Sequence, residues 1–241
     1  MAFISFYFMV KFLFPLSLIC FLMVCVGNII PDVFGEKWES LQSFSFPSFA
    51  NARENFDFFV QTWYQFFVDE SHIINFQWIP WDLIPIYSDF TFNASKQFSL
   101  RKIAAEHFSK MAWAFSHDFD FKVKFSINSA YRNTAFQRTL YHLLPHQQVA
   151  VPWTSEHELG LALDLWVNGK WMESDGGKYF ERMKENAYKY WFHNSYQKWI
   201  EIDGKMKEPW HWRYVWLDLA RYLHKMDLSF AEYFYSQYPK Q

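Results

Sequence analysis

An α+β domain floored by an antiparallel sheet is the expectation for this 241-residue chain, and three stretches carry it. After Ser99, a helix-capping residue, Ile103, Ala104, Phe108, Met111 and Phe115 recur at three- and four-residue steps up to His117, the spacing of a helix with one buried side. Phe121, Val123, Phe125 and Ile127 then alternate as in a strand. Across Gly160 to Val167, Leu161, Leu163, Leu165 and Val167 alternate likewise, leaving Ala162, Asp164 and Trp166 on the opposite face. Helices and strands in this order imply helices packed on an antiparallel sheet.

The remaining elements follow in chain order. Phe12 to Ile30 carries no charge over 19 residues, and at ~1.5 Å per helical residue such a run nearly crosses the ~30 Å hydrocarbon core of a membrane. Lys11 before it, with Asp32 and Glu36 after it, places the N-terminus in the cytoplasm and the bulk of the chain outside. No A-x-A cleavage site follows, so residues 1–30 read as an uncleaved transmembrane signal-anchor, with a cleaved signal peptide as the other reading. Both cysteines, Cys20 and Cys25, lie within it, which excludes a disulfide framework elsewhere. Residues 31–97 form an aromatic-rich, membrane-proximal segment broken by Pro47, Pro80 and Pro85, with one helix expected from Asn51 to Val68. Its expected role is scaffold packed on the domain, with a stalk or lid as the other reading. Residues 98–241 are the domain proper, with further helices over Thr134–Leu144, Lys178–Trp191, Leu217–Met226 and from Ser229, and strands over Gln197–Ile202 and Trp210–Val215.

Net charge is −2 without a basic tract, which argues against nucleic acid as a partner. Aromatic residues make up 23% of the chain. Most fall at helix or strand periods, so phenylalanine standing in for leucine in the core is the first reading, with sugar stacking or a membrane-hugging surface as the others.

Chemistry concentrates in Ser155-Glu-His157-Glu-Leu-Gly160-Leu-Ala-Leu-Asp164 and Glu208-Pro-Trp-His211. A catalytic zinc takes three nitrogen or oxygen ligands and keeps one position open, where water's pKa falls to about 7. His157, Asp164 and His211 supply such a set, and Glu208, three residues from a ligand, is the natural general base. His211 and Arg213 share a parity in their strand, so one face carries a ligand and a guanidinium. The other histidines, His72, His107, His117, His142, His146, His193 and His224, read as surface or helix residues. Pro145 interrupts the i, i+4 pair His142 and His146, and neither is assigned a site.

S-x-H-x-x-G-x-A-x-D followed by E-P-W-H-x-R-Y-V resembles the VanY-type D-alanyl-D-alanine carboxypeptidases, zinc peptidases of the LAS group that includes the hedgehog domain. Ser129-Ala-Tyr131-Arg132 with trailing Gln137, Glu185 to Phe192, and Leu228 to Tyr233 extend the resemblance from about Ser99 to Tyr235. It implies a LAS/hedgehog-like fold, Zn2+ held by His157, Asp164 and His211, proton transfer by Glu208, and Arg132 on the substrate's terminal carboxylate or oxyanion. A guanidinium fork suits that last task. Ser155 and Gln137 would add hydrogen bonds there. The implied substrate is a peptidoglycan stem peptide ending in D-alanine, cleaved by an enzyme of the cytoplasmic membrane whose single-pass anchor leaves the catalytic domain extracytoplasmic. L,D-carboxypeptidase, D,D-dipeptidase or endopeptidase action, or non-catalytic cell-wall binding, are the alternatives. Ala130, Trp191 and Trp216 stand where the family usually has glycine and are expected to crowd the surroundings of the cleft; Ser195 stands where an arginine is expected.

Overall fold

A computed structural model of the chain describes residues 64–74, 79–92, 98–198 and 204–239. Strands β1 (Leu83–Pro85) and β2 (Ser99–Arg101) form a small antiparallel pair. Helix α1 (Lys102–Asp118) leads to β3 (Phe125–Ser129), and α2 (Thr134–Leu143) precedes β4 (Ala162–Val167). A 3-10 turn, Asp175–Gly177, opens α3 (Lys178–Asn186), and a second, Ala187–Tyr190, closes it. Then come β5 (Phe192–His193), β6 (His211–Tyr214), α4 (Leu217–Met226) and α5 (Phe230–Gln237), the last opened by a reciprocal Ser229/Glu232 capping box. The main sheet runs β3-β4-β6-β5, antiparallel throughout. The expected mixture of helices and antiparallel strands is therefore present.

Alternation in β4 sets the core. Leu161, Leu163, Leu165 and Val167 are fully buried in one cluster with Phe108, Met111 and Phe115 of α1. Each such side chain withdrawn from water contributes roughly 1.5–3 kcal/mol, and truncating a core leucine to alanine costs about 2–5 kcal/mol. The opposite face of β4 is thereby left for chemistry.

Several expectations need correction. The strand expected from Phe121 begins at Phe125, because Asp120 and Phe121 adopt left-handed φ of 53° and 57° as the chain leaves α1; Phe121 is left 50% exposed. The helix expected through Trp191 ends at Asn186, and Phe192–His193 instead becomes an edge strand on β6. His193 is consequently buried and not a surface residue. Of the strand expected over Gln197–Ile202, residues 197–198 form a bend, and the rest lies outside the described residues. Of the helix expected from Asn51, only Tyr64 is described as helical. The apolar run Phe12–Ile30 also lies outside the described residues; among those described, no helix is long and apolar enough to cross a membrane.

Trp191 and Trp216 do not crowd the cleft. Both have positive φ, 69° and 75°, the conformation that favours glycine. Contacts behind the sheet offset that strain: Trp191 stacks on His107 at 3.9 Å, Trp216 lies nearly parallel to Tyr64 at 5.9 Å, and the two indoles meet at 4.9 Å.

Candidate metal centre and its cleft

Sheet register brings two of the three expected ligands together. Asp164 on β4 pairs directly with His211 on β6, so their side chains rise side by side from the face opposite the leucines. His157 comes from the loop before β4, where i to i+3 backbone bonds (Glu158 to Ser155, Leu159 to Glu156, Gly160 to His157) wind the chain tightly. Glu158 Oε2 accepts the Trp153 amide at 2.7 Å and secures that loop. Gly160 ends it at φ +68°, and its carbonyl accepts the Arg101 amide, clamping the loop to β2.

Asp164 Oδ1 lies 3.3 Å from both His157 Nε2 and His211 Nδ1, and the three ligand atoms are all within 4.8 Å of one another. It is buried without a hydrogen-bond partner. A tetrahedral ion holding its ligands at about 2.0–2.1 Å gives ligand-to-ligand edges of about 3.3–3.4 Å, so these two edges suit zinc. The partners of the outer ring nitrogens support the same reading. His157 Nδ1 donates to the Ala130 carbonyl at 2.7 Å, and His211 Nε2 donates to Glu156 at 2.7 Å, so each ring turns a lone pair inward. Asp164 Oδ2 accepts from Arg132 at 2.6 Å, reserving Oδ1 for the ion. His157, Asp164 and His211 thus fit Zn2+.

Electrostatics agree. Burial, reinforced by Arg132, pushes His157 down to about 4, leaving the ring neutral and ready to bind a metal. Burial also opposes a charged His211, but Asp164 and Glu156 outweigh it and hold its proton well above the ordinary range. Burial drives Glu208 up to about 8. Its Oε2 lies 3.8 Å from His211 Nδ1, near the centre without joining the three-atom cluster.

These groups line a cleft of about 360 Å³. One wall is indole: Trp166 and Trp171 lie 4.9 Å apart, as do Trp171 and Trp210, and Trp171 is 51% exposed. Phe136, Leu140 and Leu144 also line it. Arg132 reaches the cleft with its Nε donating to Ser129 at 2.7 Å, and Ser155 also lines it while accepting the His157 amide. Gln137 is fully buried behind Arg132, with its amide donating to the Ala150 carbonyl at 2.8 Å. His142 and His146 stay out of the centre; His146 stacks on Tyr141.

Glu156 has no role in the motif-based reading, yet it touches His211, Ser195 (2.8 Å) and Arg213 (2.8 Å). Burial opposes its charge, but Arg213 and His211 prevail and hold its carboxyl well below the ordinary range. The shared parity of His211 and Arg213 puts both on one face but names no partner for the guanidinium, so the sequence carries no signal for Glu156. Ser195, at the position expected to hold arginine, donates to this carboxylate.

The family model described as VanY, D-alanyl-D-alanine carboxypeptidase, matches residues 97–217. A D-alanyl-D-alanine carboxypeptidase of Enterococcus faecalis is 41% identical over 86 residues, covering 35% of this chain and 31% of that protein. The chain spans about a third of the length of the curated relatives it matches. A crystal structure of a mutant vancomycin resistance D,D-pentapeptidase VanY in complex with Zn(II) superimposes with TM-score 0.59 at 25% identity, covering 71% of this chain and 99% of that one. The LdcB LD-carboxypeptidase does so with TM-score 0.58 at 28% identity, covering 69% and 83%.

Proposed function

The chain belongs to the VanY family of D-alanyl-D-alanine carboxypeptidases, and on that premise we propose that it is a zinc-dependent carboxypeptidase that removes the terminal D-alanine of peptidoglycan stem peptides. One observation carries the reading: the orphaned Asp164 Oδ1 faces two inward-turned imidazole nitrogens, with Glu208 beside them in an open cleft.

His157, Asp164 and His211 would hold the zinc, which when bound would supply Lewis acidity toward the scissile carbonyl. Glu208 takes a proton from the attacking water and returns it to the leaving amine. Its place beside the cluster, 3.8 Å from His211 Nδ1 and outside the ligand set, suits both halves of that transfer. Arg132 fixes the substrate's chain end with its planar fork while its NH2 nitrogen steadies Asp164. Ser155 assists from the cleft wall, and Gln137 acts from behind by positioning Arg132 and Ala150. The uncharged Phe12–Ile30 run fits a single-pass anchor that holds the domain outside the cytoplasmic membrane, where stem peptides lie.

Comparable likeness to an LD-carboxypeptidase supports a second reading in which the peptide shortened by one D-alanine is the substrate. Purified full-length protein incubated with stem pentapeptide and, separately, tetrapeptide separates the two. Loss of one alanine from the pentapeptide, read by mass spectrometry and abolished by chelator, is expected. Cleavage of the tetrapeptide alone favours the second reading; cleavage of neither defeats both.

A further inference from the structure

The metal ligand His211 is the innermost member of a line of buried polar groups that leads out of the family-matched region. His211 Nε2 donates to Glu156 Oε2 at 2.7 Å, Arg213 NH1 donates to Glu156 Oε1 at 2.8 Å, and Arg213 NH2 donates to the Phe66 carbonyl at 2.5 Å. Phe66 lies well before residue 97, where the match to the family begins. Ser195 adds a third donor to Glu156, so both carboxylate oxygens are engaged and the group is fixed.

Stability alone is a poor reason for this arrangement. A buried carboxylate and guanidinium cost about as much to desolvate as they return by attraction, and well-packed apolar residues often serve equally well. Orientation is a better reason, because a carboxylate on the outer nitrogen of a ligating imidazole fixes its tautomer and strengthens it as a donor. The segment presenting the Phe66 carbonyl is itself tied down. Phe67 stacks on Phe234 at 4.3 Å and meets Phe230 edge-on at 5.3 Å, while the Arg213 guanidinium sits 4.8 Å over the Phe230 ring. Tyr235 donates to Asp69, and Tyr64 lies beneath the Arg101 guanidinium.

We infer that residues 64–72 are the outermost layer of the metal site: they hold Arg213, Arg213 holds Glu156, and Glu156 positions His211 for the ion. Glu156 and Arg213 are thus positioning residues for metal binding, and this segment serves the centre as well as the fold. The inference rests on the zinc reading above.

The test is zinc affinity of the full-length chain, measured by competition with a chromogenic chelator, together with the visible spectrum of the cobalt-substituted protein. Glu156→Gln is expected to weaken zinc by roughly 10–100-fold and to shift the cobalt bands. Phe67→Ala, which removes the packing of the segment on Phe230 and Phe234 and leaves Glu156, Arg213 and the three ligands in place, is expected to weaken it less, by at least about threefold, and Ser195→Ala similarly, in keeping with their greater distance from the ion. Should Glu156→Gln fail to fold, the two milder variants decide. Wild-type affinity and an unchanged spectrum in the folded variants overturn this inference alone. A wild-type protein that binds no zinc overturns the proposed function as well.

Discussion

Gly160 sits midway between His157 and Asp164, and replacing it with alanine tests how the ligand loop is packed. Its φ of +68° is strained for any L side chain, at a cost of about 1–2 kcal/mol. An added Cβ would also lie 2.9 Å from Leu83 Cδ2 and 3.1 Å from Arg101 Cγ. The leucine methyl can swing aside. Arg101 cannot do so freely, because its Nε bonds Asp82 at 2.8 Å and its guanidinium covers Tyr64. Crowding of this kind costs about 1–3 kcal/mol, so the sum is roughly 2–5 kcal/mol. For a domain of this size each kcal/mol lowers Tm by about 2–4 °C, which predicts a fall of about 4–20 °C in a thermal melt followed by circular dichroism. Gly169 is the control: its φ is +73°, but a Cβ there meets nothing within 4 Å. Gly169→Ala should therefore lower Tm by only about 2–8 °C, the backbone share alone. Equal losses in the two variants would show that Leu83 and Arg101 yield freely, and the packing argument for the ligand loop would fall.

Glu208→Gln should lower kcat by about 10²–10⁴-fold while zinc content measured by atomic absorption stays at wild type, since Glu208 stands outside the ligand triangle. Arg132→Lys keeps the charge but loses the fork and the 2.6 Å bond to Asp164; a 10–100-fold drop in kcat/KM on stem pentapeptide is expected, and an unchanged value would remove Arg132 from substrate binding. Trp171→Ala removes the exposed indole of the cleft wall and should raise KM about 2–10-fold at nearly constant kcat, which a steady-state titration reads. His107, pushed down to about 4 by burial against Trp191, stays neutral in the fold but takes a proton near the ordinary histidine value of 6.5 when unfolded. The unfolded state then binds more protons, so this group's contribution is complete above pH 6.5 and is lost as pH falls toward 4. After discount for partial exposure, His107→Phe should flatten that loss by on the order of 1 kcal/mol in urea melts at pH 4.5 and 7.

How much was legible in the sequence depended on the range of the interaction. His157, Asp164, Glu208 and His211 announce themselves by residue type and spacing, and the period-two leucines of β4 fix which way Asp164 faces. The parity of His211 and Arg213 correctly placed them on one face, but not the destination of the guanidinium, because its partner Glu156 lies 57 residues away in sequence. Nothing local distinguishes Glu156 from any other loop glutamate. The strand Phe192–His193 is too short to display a period, and the left-handed turns at Phe121, Trp191 and Trp216 override alternation and helical spacing with residues that rarely adopt them. The tryptophans at glycine positions suggested crowding at the cleft because sequence shows their bulk and not their direction.

Anomalous diffraction at the zinc edge from crystals of the purified protein is the measurement on which the reading of this centre stands. A single peak is expected within about 2.0–2.2 Å of His157 Nε2, Asp164 Oδ1 and His211 Nδ1, with no fourth protein ligand. An absent peak in zinc-equilibrated crystals, a peak elsewhere, or a fourth side chain closing the coordination would contradict it.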